Sequence, residues 1–271
     1  VGEIKSLFWV VITISFNFAY YQYPYFFFER RRKNIDIMNK EEWLKKGYVT
    51  ELVDKTLDLK TEIDKLRKEK NALILGHYYQ SGEIQDIADF VGDSLALAQW
   101  AAKTDADIIV MCGVHFMGET AKILCPDKKV LVPDLNAGCS LADSCPADEF
   151  AKFVQEHPDY TVISYVNTTA AVKAVTDVVV TSTNAKQIVE SFPADEKIIF
   201  GPDRNLGNYI NSITGRNMLL WDGACHVHEQ FSVEKILELK NSILTLLFWF
   251  IPNVKEPFPN WPTRLLLRQD C

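Results

Sequence analysis

His77 and Tyr165 each follow a short apolar run, and they stand 88 residues apart (165 − 77). The segments Leu75-Gly76-His77-Tyr78-Tyr79 and Ile163-Ser164-Tyr165-Val166-Asn167 read as polar tips at the ends of buried strands. A lone histidine at a strand end is usually a satisfied structural residue. A tyrosine and an asparagine at the matching place in a second copy raise the chemical reading to equal standing. In that reading His77 gives or takes a proton near neutral pH, and the tyrosines donate hydrogen bonds to a substrate. Ser94 and Ser182, also 88 apart (182 − 94), each precede a helical pattern. Their hydroxyls are expected to cap those helices. The same place, beside free backbone N–H groups and the positive end of the helix dipole, suits a carboxylate or phosphate. Two such places fit a ligand carrying two carboxylates, or a carboxylate and a phosphate.

Cys139 and Cys225, 86 apart (225 − 139), close the two copies. Small-residue turns precede them, Asn136-Ala137-Gly138 and Asp222-Gly223-Ala224, and such turns let backbone approach a bulky group. A single buried cysteine is usually a small apolar side chain. Two at matching repeat positions fit metal ligands, and pseudo-symmetry asks for a third. Without a CxxC pair the pattern disfavours a zinc knuckle and suits an iron-sulfur cluster on widely spaced thiolates. Three thiolates on a 4Fe-4S cluster leave one iron open as a Lewis acid. Cys145 reads as a spare thiol or an alternative ligand, and Cys112 and Cys125 read as packing. His226 and His228 alternate on a segment read as extended, which makes a metal role conceivable.

The elements that must position these residues are short. Apolar positions among charges predict a surface helix over 55–70, and helices are expected over 84–91, over 95–103 and from 185 onward. Buried strands are expected at 72–75, 107–111, 129–132, 161–165, 178–181, 197–200 and 218–221. Alternation of this kind predicts an α/β fold with parallel sheets covered on both faces and ligands at the carboxyl ends of the strands. The loops from Cys112-Gly113 to Met117-Gly118-Glu119 and from Gly201-Pro202 to Leu206-Gly207-Asn208 lie 89 apart (207 − 118), so the unit is duplicated over its whole length.

At 271 residues with 48% apolar content, the chain can fill more than one globular core. A net charge of −7 excludes a general nucleic-acid binder, which needs a clustered excess of Lys and Arg. Six cysteines in such a chain read as reduced thiols, some of them ligands, rather than a disulfide framework. Residues 7–28 carry no charge and are followed by Glu29-Arg30-Arg31-Arg32-Lys33, a transmembrane pattern taken literally. Pro24 interrupts it and Met38 opens an ordinary amphipathic start, so residues 1–37 read as an N-terminal extension, with a membrane anchor as the competing reading.

Together these motifs resemble the quinolinate synthase (NadA) family. The match runs from about Met38 through Glu229, on Gly76-His77-Tyr78-Tyr79-Gln80, Gly92-Asp93-Ser94-Leu95, Cys112-Gly113-Val114-His115-Phe116-Met117, Ala137-Gly138-Cys139-Ser140-Leu141, Ser164-Tyr165-Val166-Asn167-Thr168, Thr181-Ser182-Thr183-Asn184 and Gly201-Pro202-Asp203. The resemblance implies repeated three-layer αβα domains in pseudo-threefold arrangement, with one cysteine from each domain on a 4Fe-4S cluster. It implies a cytoplasmic enzyme of NAD biosynthesis that condenses iminoaspartate with dihydroxyacetone phosphate to quinolinate, releasing phosphate and water. By motif, Cys139 and Cys225 are cluster ligands, and His77, Ser94, Tyr165, Val166, Asn167 and Ser182 bind substrate. His77, Tyr79 and Tyr165 are the catalytic candidates. The resemblance leaves room for association with the L-aspartate oxidase that supplies iminoaspartate.

On this reading the first repeat spans 38–140, the second 141–231, and 232–271 is a degenerate or truncated start of a third. Extending the period puts a third tip at about 253 and a third cysteine at about 311, beyond Cys271. Two of three domains are therefore expected, with the third cluster ligand absent. A fragment that binds a small dicarboxylate or a partner protein is the non-catalytic alternative.

Overall fold

The computed structural model describes Asp54 and residues 56–134, 136–230, 235 and 238. The readings for 1–37 and 241–271 lie outside these residues. Of the helix read at 232–240, Lys235 and Glu238 are described, both helical. The chain divides into two compact units, one running through Gly138 and the other starting at Cys139.

In the first unit the order is α1 (Leu59–Glu69), β1 (Ala72–His77), α2 (Gly82–Ile87), β2 (Phe90–Gly92), α3 (Ser94–Lys103), β3 (Ile108–Cys112), α4 (His115–Leu124) and β4 (Lys129–Leu131). The four strands form a parallel sheet in the order β2-β1-β3-β4. Alternate strand side chains face opposite ways, so Ile74, Ile108, Val110 and Cys112 share one core cluster with Ile63 of α1 and with Ile84 and Ile87 of α2. Leu75, Ile109 and Met111 are buried on the other face, which α3 and α4 cover. Burial on both faces explains why these strands read as unbroken apolar runs.

The second unit runs α5 (Ser140–Asp143), α6 (Ala147–Gln155), β5 (Thr161–Tyr165), α7 (Ala170–Lys173), β6 (Val178–Val180), α8 (Ala185–Ser191), β7 (Ile198–Gly201), α9 (Arg204–Thr214), β8 (Leu219–Leu220) and α10 (His226–Glu229). Its parallel sheet has the order β6-β5-β7-β8, the same topology as the first. One cluster joins Ile163, Ile198 and Phe200 to α8 and α9, and another joins Val162 and Ile199 to Phe150 of α6 and Val172 of α7. Each unit is a three-layer αβα sandwich, as the spacing predicted.

The duplication extends to individual hydrogen bonds. Leu75 lies opposite Phe90 and Ile163 opposite Val178, each member displaced by 88 (163 − 75, 178 − 90). The N–H of Ile74 donates to Asp89 Oδ2 at 2.8 Å, and the N–H of Val162 donates to Asp177 Oδ2 at 2.8 Å. Gly118 of α4 and Gly207 of α9 are also equivalent. A Cβ at Gly118 would come within 2.3 Å of Val132 Cγ2, and one at Gly207 within 2.6 Å of Leu220 Cδ2. Glycine lets each helix close onto the last strand segment of its unit.

Two sequence readings are corrected. The helix expected over 84–91 stops at Ile87, because Ala88 turns extended (ψ 142°) and Phe90–Gly92 pairs with β1 as an edge strand. The segment around His226 and His228 is helical rather than extended: Glu229 N–H closes on Cys225 O at 3.0 Å. Among the described residues no helix is long and apolar enough to cross a membrane.

Candidate functional site

In the first unit the candidate residues gather where β1 and β2 end. His77 is the last residue of β1, is 7% exposed, and pairs in register with Gly92, two residues before Ser94. Its ring stacks on Tyr78 (centroids 4.5 Å) and meets Tyr79 edge-on (4.6 Å). The backbone N–H of Tyr79 donates to His77 Nδ1 at 3.2 Å. A neutral imidazole held this way carries its proton on Nε2. Tyr79 itself is 75% exposed, so its phenol stands in solvent beside a buried imidazole. The turn after β3 leaves no room for a side chain at Gly113, where a Cβ would come within 2.6 Å of Met117 Sδ.

Ser94 does not cap α3. Asp93 is the cap, its carboxylate accepting the N–H of Ala96 at 2.9 Å, and Ser94 occupies the first helical position. Asn184 stands at the equivalent boundary of α8, its Oδ1 accepting Thr181 N–H (2.7 Å) and Thr181 Oγ1–H (3.2 Å). Ser182 lies inside that turn, half-buried. The expected capping role passes to Asp93 in the first copy, while in the second Asn184 holds the N-cap position without a side-chain cap bond.

In the second unit Tyr165 ends β5, half-buried, in register with Val180 two residues before Ser182. The buried Val166 donates its N–H to Val180 O at 2.8 Å. Asn167 turns its amide to a sulfur: Nδ2 lies 3.7 Å from Cys139 Sγ.

Both cysteines occupy the N-cap of a four-residue helix, Cys139 before α5 and Cys225 before α10. Burial pushes the Cys139 thiol up, opposed by the N–H groups of Ala142 and Leu141 and by the Asn167 amide, while the nearby charge of Cys225 adds to the rise. Burial also opposes ionisation of Cys225, but the side chain and N–H of His228 together with the N–H of Val227 outweigh it and bring the thiol down to about 7. Ser140 Oγ lies 4.0 Å from Cys225 Sγ. Asp203 is fully buried and caps α9 through the N–H groups of Asn205 (2.7 Å) and Leu206 (3.3 Å). Burial raises its carboxyl pKa, with His228 among the groups that oppose the rise.

Two thiols fed by N–H donors form a donor set of the kind that holds thiolate-ligated iron, because N–H···S bonds stabilise charge on sulfur. A cation between them would also relieve the repulsion from Cys225 that adds to the burial-driven rise at Cys139. Among the described residues no group of three or more His, Cys, Asp or Glu side chains is arranged to hold a metal ion, so Cys139 and Cys225 stand as a pair of candidate ligands. Cys145 is 1% exposed in the core beside Phe150, with its thiol pushed up to about 12 by burial, so it packs rather than serving as a spare ligand. Cys112 and Cys125 are buried as expected. Sequence reasoning missed the buried Asp203 and the influence of His228 on Cys225, the latter because a one-turn helix leaves no periodic signal.

Residues 61–258 match the family model described as Quinolinate synthetase A protein. The chain is 63% identical over 183 residues to a quinolinate synthase of Synechocystis sp., covering 68% of this chain and 58% of that protein. It is 62% identical over 184 residues to the quinolinate synthase of Trichormus variabilis, covering 68% and 57%. With the quinolinate synthase of Nostoc punctiforme it shares 60% over 191 residues, covering 70% and 59%. The chain therefore spans less than two thirds of the length of these relatives.

Proposed function

Since the chain belongs to the quinolinate synthetase A family, we propose that it carries two α/β repeats of a quinolinate synthase, which condenses iminoaspartate with dihydroxyacetone phosphate and releases phosphate and water. The observation that carries this reading is that the matched span, residues 61–258, contains both strand-end tips and both helix-capping cysteines. His77 is the proton-transfer group, its Nδ1 accepting the Tyr79 N–H and its proton carried on Nε2. Tyr79 stands next to it as a second donor, a phenol. Ser94, at the first position of α3, and Ser182, in the turn before α8, offer hydroxyls to carboxylate or phosphate oxygens. Tyr165, Val166 and Asn167 line the matching tip of the second unit.

Cys139 and Cys225 would hold a 4Fe-4S cluster, with a third ligand from outside the described residues. When bound, the cluster supplies Lewis acidity toward a substrate oxygen. The chain's part is to direct the N–H groups of α5 and α10 at the two sulfurs, which favours the thiolate form of each against burial. On this reading the protein works in the cytoplasm, where reducing conditions keep its cysteines as thiols. An adjacent L-aspartate oxidase would supply iminoaspartate before water hydrolyses it.

The test is anaerobic reconstitution with iron and sulfide, followed by a quinolinate assay. The chain is assayed alone and mixed with the carboxyl-terminal remainder of the Synechocystis relative. Quinolinate from the mixture, and none from a mixture made with Cys225→Ser, is the expected result. A mixture that forms no quinolinate, or one indifferent to Cys225→Ser, overturns the proposal.

A further inference from the structure

Gln85 and Lys173 stand 88 residues apart (173 − 85), each in the short helix that follows a polar tip. Gln85 Nε2 donates to Tyr78 O at 3.1 Å and to Gln80 O at 2.8 Å. Lys173 Nζ donates to Val166 O at 2.9 Å, to Thr168 O, and to Thr168 Oγ1 at 3.2 Å. Tyr78 and Val166 are equivalent positions, and so are Gln80 and Thr168 (166 − 78, 168 − 80). One donor head in each unit therefore holds the same two carbonyls. The heads differ in chemistry, a neutral amide in one and an ammonium in the other. What they share is the ability to donate two N–H bonds at once to oxygens two residues apart. An incidental contact has no reason to recur on the same acceptors through a different side chain.

The residue straddled by each pair of carbonyls is a site candidate, Tyr79 in the first unit and Asn167 in the second. A strand-end loop has no ladder partners, so its carbonyls must find donors elsewhere or stay with water. We infer that Gln85 and Lys173 are positioning residues, each drawing the flanking carbonyls onto its head and thereby setting the backbone from which Tyr79 and Asn167 project. The ring contacts of His77 with Tyr78 and Tyr79, and the approach of Asn167 to Cys139, are held by these clamps. The inference rests on the reading of the tips as substrate-facing elements. It adds two residues that never reach the substrate themselves.

The experiment uses four variants of the full chain. Gln85→Leu and Lys173→Met remove the donors at similar volume, while Gln85→Lys and Lys173→Gln exchange the two solutions between repeats. The first measurement is amide hydrogen exchange at Gln80 and Thr168, whose N–H groups bond His77 O and Val166 O within the tips, both at 2.8 Å. Exchange should quicken roughly tenfold in Gln85→Leu and roughly 10- to 100-fold in Lys173→Met, as expected for losing neutral and charged donors. The exchanged variants should stay within about threefold of wild type. Unchanged tip exchange in the donorless variants overturns the clamp, and so does an exchanged variant as fast as a donorless one. If a donorless variant does not fold, the exchanged variant of the same position decides by the same criterion. The second measurement is quinolinate affinity, expected to fall about tenfold without a donor and to return in the exchanged variants. A wild-type chain that binds no quinolinate counts against the proposed function, while the exchange data still decide the clamp.

Discussion

Cys139 and Cys225 hold the same place in their helices, yet their thiols are shifted in opposite directions. Burial raises Cys139, which receives an uncharged amide from Asn167, while at Cys225 the influence of His228 outweighs burial. In metal-free protein, alkylation of Cys225 should rise to half its limit near pH 7, and that of Cys139 at higher pH, read peptide by peptide by mass spectrometry. His228→Ala should return Cys225 toward an ordinary thiol and slow its alkylation at pH 7 roughly tenfold. The same shift enters stability. A thiol whose pKa is lower folded than unfolded contributes stability that is fully present above its unfolded pKa and is lost as pH falls through about 7. The urea midpoint of metal-free protein should therefore climb from pH 7 to 9, and Cys225→Ser should flatten that climb. Neither effect was legible in the sequence, where Cys225 and His228 were two polar letters without a known distance.

At the scale of elements, the repeated glycines and aspartates do the joining. A methyl at Gly118 has 2.3 Å to Val132 Cγ2, so Gly118→Ala should overpack α4 against the end of the sheet. The expected cost is about 1–3 kcal/mol, reduced by the roughly 1 kcal/mol that alanine gains in a helix, and urea unfolding measures the net loss. Asp177 holds the N–H of Val162 at 2.8 Å and so fastens the start of β5 beside β6. Asp177→Ala should cost about 1.5–3 kcal/mol, the range for a hydrogen bond to a charged acceptor. Long apolar runs such as Ile108–Cys112 were legible because both faces of a parallel strand are buried. The three-residue β2 was not, since so short a window shows no period and only pairing with β1 separates a strand from the end of a helix.

At the scale of the molecule, each unit has its own sheet and its own apolar clusters. Phe200 is fully buried in the second unit, and Phe200→Ala should cost about 3–5 kcal/mol. Hydrogen exchange should locate that loss in β5 and β7 while β1 and β3 keep their protection. The sequence by itself determined the duplication, the α/β class, the strand ends that bear His77 and Tyr165, and the pairing of Cys139 with Cys225. Periodic burial and repeat spacing write these directly into residue types. Only the tertiary structure decided which neighbours serve those residues: Asp93 rather than Ser94 as a cap, His228 on Cys225, Asn167 on Cys139, and Gln85 and Lys173 on the tips. Such contacts depend on where a polar atom meets a backbone group after the chain has turned, and an isolated polar residue carries no period that records the meeting.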